Sequence, residues 1–205
     1  VQMPVTGNIE TNFTAMEQSI AEAKKNGARV VVFPETVLSG FFHEDIQNIN
    51  WSLLQDKMNG LAALARQNDV YLVYGSATKS PFERPYNSAL VINPKGECIE
   101  EYHKTFPENQ FEPGEKLALF KVDSIPCTMI ICHDSRYPEL VRVPVMAGAR
   151  VCFYISYEVN GLEQARQKRE GYTAQSCARA VENNIWYIQA NGVGPFEGNS
   201  VSLGN

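Results

Sequence analysis

Short apolar runs of strand length alternate along this chain with stretches of helical period, and that alternation leaves few folds open. Between Ile9 and Asn26, the residues Ile9, Phe13, Met16, Ile20 and Ala23 recur at three- and four-residue steps, and Gly27 stands where such a helix ends. Ala28 to Phe33 follows as a β-branched run of the kind buried in parallel strands, closed by Pro34 and Glu35. Trp51 to Asn68 is again amphipathic, and Val70 to Ser76 is an apolar strand. Asn87 to Ile92 and Glu97 to Tyr102 flank Asn93-Pro94-Lys95-Gly96, a hairpin signal. Thr128 to Ile131 predicts a strand that stops at Cys132. Pro138 to Ala147 predicts a helix, Val151 to Ile155 a strand, Leu162 to Asn183 a long helix and Ile185 to Ala190 a last strand. One helix-to-strand joint is used twice, as Gly27-Ala28-Arg29-Val30 and as Gly148-Ala149-Arg150-Val151. The pattern is that of a layered α/β protein. No linker or low-complexity segment interrupts it, so one domain is expected over residues 1–205. Both ends read as cut: Val1 to Val5 resembles the tail of a strand entering a loop, and Gly198 to Asn205 is turn-like with no closing element, as if the C-terminal part were truncated.

Composition removes several function classes. A net charge of −5 argues against nucleic acid or an anionic membrane as a partner, since both attract basic surfaces. No apolar run reaches membrane-spanning length. The five cysteines form no CxxC pair and no Cys/His ladder, so neither a metal site nor a disulfide scaffold is expected, and a reducing, cytoplasmic setting is the simplest reading. Gly192 to Gly198 has the look of a nucleotide-binding glycine loop, but Pro195 and the lack of a following helical pattern predict an ordinary turn.

Three polar residues stand at the ends of apolar strands: Glu35, Lys104 and Cys132. In open α/β sheets, sites gather at the carboxyl ends of strands, so residues far apart in sequence can meet there. A thiol must become a thiolate to act as nucleophile. A carboxylate can take that proton and return it to a leaving amine. An ammonium can stabilise an oxyanion, helped by the amide that follows the nucleophile, here that of His133. Taken singly, each residue has a plainer reading: a small buried cysteine, a solvated turn glutamate, a surface lysine.

The flanking sequences supply what the single residues lack. Val31-Val32-Phe33-Pro34-Glu35, with Ser39-Gly40-Phe41 after it, resembles the glutamate motif of the nitrilase-like carbon–nitrogen hydrolase superfamily. Tyr102-His103-Lys104-Thr105, followed by Phe111-Glu112-Pro113-Gly114, resembles its lysine motif, and Ile130 to Glu139 around Cys132 resembles its nucleophile motif. Tyr86-Asn87-Ser88-Ala89, Ala178 to Asn183 and Asn191 fit the same pattern, in the family's order, from about Val1 to Gly198. The resemblance implies an α-β-β-α sandwich that commonly pairs into homodimers or larger homo-oligomers. It implies attack by Cys132 on a small-molecule amide or nitrile carbon, proton transfer by Glu35 and oxyanion stabilisation by Lys104, with no metal or organic cofactor.

Two departures bear on the substrate. His133 stands where the family more often has Tyr or Trp, and the stretch from Lys104 to Pro113 is short. That stretch should hold a second glutamate. Glu112 has the more familiar spacing from Lys104, but the register of the aromatic-x-Pro-Gly turn points to Glu108, which is expected to enter the pocket and pair with Lys104 as a further catalytic residue. His133 and Tyr157 are expected to contact substrate or oxyanion. Tyr157 and Glu158 follow the Val151 strand, where a substrate contact and a solvated loop are both open readings. Asp134, Arg136 and Glu139 read as an ion-paired turn and helix start, and Arg179 with Glu182 as a scaffold ion pair. The expected activity is cleavage of a non-peptide C–N bond in a linear amide, an N-carbamoyl compound or an ω-amido acid. A nitrilase, an acyltransferase and a non-catalytic assembly protein are the competing readings.

Overall fold

The computed structural model describes residues 1–195 and 200–203. The elements run α1 (Ile9–Lys25), β1 (Val30–Val32), α2 (His43–Gln47), α3 (Trp51–Asn68), β2 (Tyr71–Thr78), β3 (Tyr86–Ile92) and β4 (Cys98–His103) in the first half. The second half runs β5 (Phe120–Val122), β6 (Ile125–Ile131), a 3-10 turn over Cys132–Arg136, α4 (Glu139–Met146), β7 (Val151–Ser156), β8 (Asn160–Gly161), α5 (Leu162–Asn183), β9 (Trp186–Asn191), β10 (Val193–Pro195) and β11 (Ser200–Leu203). The two long N-terminal helices start on Asn side chains. Asn8 accepts the Thr11 amide at 2.9 Å and Asn50 the Leu53 amide at 3.1 Å, each satisfying a donor that the helix itself leaves unpaired. Asp69 and Asn184 end α3 and α5 in the left-handed conformation, with φ of 50° at both. The hairpin turn is built by Asn93, whose Oδ1 accepts the amides of Lys95 at 2.9 Å and Glu97 at 3.0 Å.

Two four-stranded sheets form, in the orders β1-β2-β3-β4 and β5-β6-β7-β9. β1 pairs parallel with β2, and β7 parallel with β6 and β9, whereas β3, β4 and β5 run antiparallel to their neighbours. Strand alternation then divides the apolar residues into layers. On β2, Tyr71 and Val73 face the other sheet, while Leu72 and Tyr74 pack with Met16, Ile20, Leu54 and Leu61 of α1 and α3. On β6 and β7, Met129, Ile131, Phe153 and Ile155 fill the space between the sheets, and Ile130, Cys152 and Tyr154 pack against Val141 of α4. The result is the α-β-β-α sandwich expected from the motifs.

Some elements depart from the sequence reading. The tail around Gly192 to Gly198 and Gly198 to Asn205 was expected as turns; instead Val193–Pro195 pairs antiparallel with Ser200–Leu203, which also pairs with Asn160–Gly161. The first pairing is a local hairpin of strands too short to show a period, and the second is made to a partner distant in sequence, which local turn chemistry does not register. Residues 196–199 and 204–205, on which the rest of those expectations fell, lie outside the described residues. Among the described residues, no helix is long and apolar enough to cross a membrane.

Candidate active site

Glu35 follows β1 through Pro34, and the chain there crosses directly over β2. The crossing depends on Gly75: a Cβ at that position would strike the Thr36 amide nitrogen and lie 2.7 Å from the Glu35 carbonyl carbon. The Gly75 amide donates to the Pro34 carbonyl at 3.2 Å, and the Glu35 amide to the Ser156 carbonyl at 3.4 Å, joining the end of β1 to the end of β7. The Glu35 side chain is fully buried. Its Oε1 accepts Lys104 Nζ at 2.7 Å and Asn87 Nδ2 at 2.7 Å, and its Oε2 accepts the Tyr157 amide at 2.9 Å. Burial pushes its carboxyl up to about 7; Lys104 pulls the other way, and Glu108 adds to the rise.

Lys104 leaves the end of β4 with its amide donating to the Asn87 carbonyl at 2.8 Å. Its ammonium is also fully buried, and it bridges Glu35 to Glu108, whose oxygens lie at 2.8 and 3.0 Å. Burial alone would lower the ammonium; Glu35, Cys132 and Glu108 outweigh it and hold Lys104 well above its ordinary value, so it stays charged. Glu112 turns elsewhere. Its two oxygens take Arg84 Nε and Nη2 at 3.0 and 3.1 Å. The structure therefore sets Glu108 on the lysine and Glu112 in an outer ion pair.

Cys132 follows β6 and opens the 3-10 turn with φ at 43°, a conformation that costs a non-glycine residue energy. Asp134 holds that turn. Buried at 0% exposure, it accepts the Tyr102 hydroxyl at 2.7 Å, the Phe106 amide at 3.0 Å and the Ile131 amide at 3.3 Å, which ties the nucleophile turn to the lysine loop. These partners are a hydroxyl and backbone amides, so the ion-paired turn expected from sequence is instead a hydrogen-bonded one at Asp134. Arg179 on α5 clamps the far side, donating to the Ser135 carbonyl at 3.1 Å and to Glu182 at 3.0 Å. Burial pushes the Cys132 thiol well above its ordinary value. Glu35, Glu158 and Glu108 push the same way, and Lys104 opposes them, so all four charges act on the one sulfur.

The remaining residues fall out differently from the sequence reading. His133 follows Cys132 in the 3-10 turn and borders an open cleft of about 490 Å³ with Thr105, Phe106, Glu108 and Tyr137. Tyr157 was expected to contact substrate or oxyanion. In the structure its ring is 2% exposed, packs edge-on to Phe41 at 5.3 Å and donates its hydroxyl to the Val5 carbonyl at 3.3 Å. Beyond the end of β7 the ring turns into the helix-facing core with Val5 and Phe41, and the residue meets the site through the backbone amide that holds Glu35. The side chain facing the nucleophile is that of the next residue: the Cys132 thiol donates to Glu158 Oε1 at 3.3 Å. The sequence left Glu158 between a substrate contact and a loop residue, because the turn after β7 has no period from which facing could be read.

A carboxylate–ammonium–carboxylate bridge, buried at Glu35 and Lys104, beside a thiol whose residue has a left-handed φ, defines a class of cysteine-containing α-β-β-α sandwich proteins. Comparison with known proteins agrees. The family model for carbon–nitrogen hydrolase matches residues 1–205. A hydrolase of the agr operon from Staphylococcus aureus is 29% identical over 213 residues, covering 100% of this chain and 79% of the relative. A nitrilase from Pyrococcus abyssi is 30% identical, covering 92% of this chain and 71% of the relative. The crystal structure of an amidase from Nesterenkonia sp. superposes with a TM-score of 0.84 at 23% identity, over 98% of this chain and 76% of that one. The chain belongs to the carbon–nitrogen hydrolase family.

Proposed function

We propose that this chain hydrolyses the C–N bond of small linear amides through a thioester on Cys132. The observation that carries the reading is the fully buried Lys104 ammonium held at 2.7 Å by Glu35 and 2.8 Å by Glu108, with both carboxylates and the ammonium acting on Cys132. Among relatives, a formamidase from Helicobacter acinonychis is 29% identical over 97% of this chain, and Nesterenkonia amidase mutants have been solved in complex with acrylamide and with butyramide. In the proposed reaction, Glu35 accepts the thiol proton and the sulfur attacks the amide carbon. The oxyanion that forms is met by the Lys104 ammonium and the His133 amide. Glu35 then gives its proton to the leaving nitrogen, ammonia departs and a thioester remains. Water attacks the thioester with Glu35 again as base, releasing the acid and restoring the thiol. Lys104 keeps its proton throughout, paired with Glu108 and with the oxyanion while Glu35 carries the transferred proton.

The test is ammonia release from a set of amides and the matching nitriles, with wild type and Cys132→Ala. Removing the sulfur takes away little volume, so the variant should melt near wild type and show no turnover. Turnover of an amide by Cys132→Ala at the wild-type rate would overturn the mechanism. Release of ammonia from nitriles alone would replace the amidase reading with a nitrilase one.

A further inference from the structure

Lys104 is matched by Glu35 and Glu108, which leaves the third carboxylate of the site without a counter-ion. Glu158 sits against the sulfur at 3.3 Å, and its backbone is pinned by its own amide, which donates to Asn191 Oδ1 at 3.1 Å. It is half-buried, and among the described residues it forms no salt bridge. The Tyr172 hydroxyl interacts with both Glu158 and the exposed Arg136. A tetrahedral intermediate on Cys132 has four substituents. Sulfur is one, the oxyanion turns to Lys104, and the leaving nitrogen must meet Glu35. The acyl chain takes the remaining direction, and Glu158 is the group flanking the sulfur that has no part in the other three.

We infer that Glu158 is a specificity-determining residue, one that selects amides whose acyl chain carries a cation or a hydrogen-bond donor close to the reacting carbonyl and rejects chains carrying a carboxylate. The inference rests on the amidase reading and narrows it. A fixed carboxylate gains from a donor or cation brought beside it and repels an anion, and in a partly dehydrated site both effects exceed their values in water. By this logic ω-amido acids and N-carbamoyl amino acids, whose acyl chains bear a carboxylate, are poor substrates.

The test uses three amides of matched length: 4-aminobutanamide, butyramide and succinamate. Ammonia release by wild type should rank kcat/KM in that order. Glu158→Gln should erase the ranking, lowering the cationic-to-neutral ratio about ten- to hundredfold, the range of one charge-assisted hydrogen bond. Glu158→Asp should recover part of it. Calorimetric binding of the same three compounds to Cys132→Ala, with and without Glu158→Gln, reads the preference without turnover. If succinamate ranks first, or if Glu158→Gln leaves the ranking intact in both readouts, the inference is overturned. If wild type releases ammonia from none of the three while Cys132→Ala still ranks the cation first and loses that ranking with Glu158→Gln, the amidase reading falls and the role of Glu158 stands.

Discussion

Glu35 is a carboxylate with no exposed surface, and its behaviour follows from that. Burial raises its carboxyl to about 7, although a lysine stands 2.7 Å away. As the proposed general base, it must be ionised to take the thiol proton. The sign is then settled: kcat/KM should be on its plateau above pH ~7 and fall as pH drops below that, approaching tenfold per unit for a single essential base. A pH–rate profile measures this, and a flat profile from pH 5 to 8 would remove Glu35 from the role. The two nearby glutamates separate at the same scale. Glu108 holds the Lys104 ammonium with both oxygens, whereas Glu112 pairs with Arg84. Glu108→Gln should cut kcat by roughly a hundredfold or more, because the lysine loses one of the two groups that position it for the transition state. Glu112→Gln should change kcat little. Steady-state kinetics on the two variants checks the split, and the reverse pattern would move the role to Glu112.

Elements carry the site by how closely they approach. β1 ends at Val32, and Pro34-Glu35-Thr36 then lies on β2 so tightly that only a glycine fits beneath it at Gly75. Gly75→Ala should push the Glu35 backbone off the strand. The expected result is a loss of stability of about 1–3 kcal/mol, as for other overpacked positions, together with a fall in kcat far larger than the stability loss alone produces. Denaturant unfolding and kinetics on the one variant check both parts. Gly96 in the hairpin turn is a useful contrast. Its φ is +79°, and an added Cβ would crowd the Ala62 carbonyl, but it stands away from the catalytic strand ends, so Gly96→Ala should lower stability with kcat retained.

At the scale of the molecule, the two sheets share one apolar layer, and every proposed catalytic group hangs from strand ends on either side of it. Phe153 lies in that layer at 2% exposure, stacked on Phe120 at 6.0 Å between centroids. Phe153→Ala should cost about 3–5 kcal/mol. Because β2, β3, β6 and β7 all pack on the same layer, the loss should appear as one earlier cooperative transition, not as separate melting of two halves. Circular dichroism and tryptophan fluorescence would follow it. Two non-coincident transitions would show that the sheets fold as independent units.

Much of this arrangement is determined by the sequence alone. Helical period places α1, α3 and α5, β-branched runs place β1, β2, β6 and β7, and the motifs around Glu35, Lys104 and Cys132 name the residues at strand ends, because each of these signals is local and repeats along a short window. The short strand Phe120–Val122, which turns straight back onto Ile125–Ile131, and the hairpin of Val193–Pro195 with Ser200–Leu203 were not legible, since strands this short show no period to read. The same reason separates Tyr157 from Glu158. Both are visible as polar residues after a strand, but only the packed structure decides that the tyrosine ring turns into the core and the glutamate turns to the sulfur. The register of the aromatic-x-Pro-Gly turn points to Glu108 over Glu112, but only the tertiary structure shows Glu108 on Lys104 and Arg84, distant in sequence, on Glu112. A sequence lists which groups are available at strand ends. Which of them share a charge, lose their water and face one another is decided by the closing of one sheet on the other.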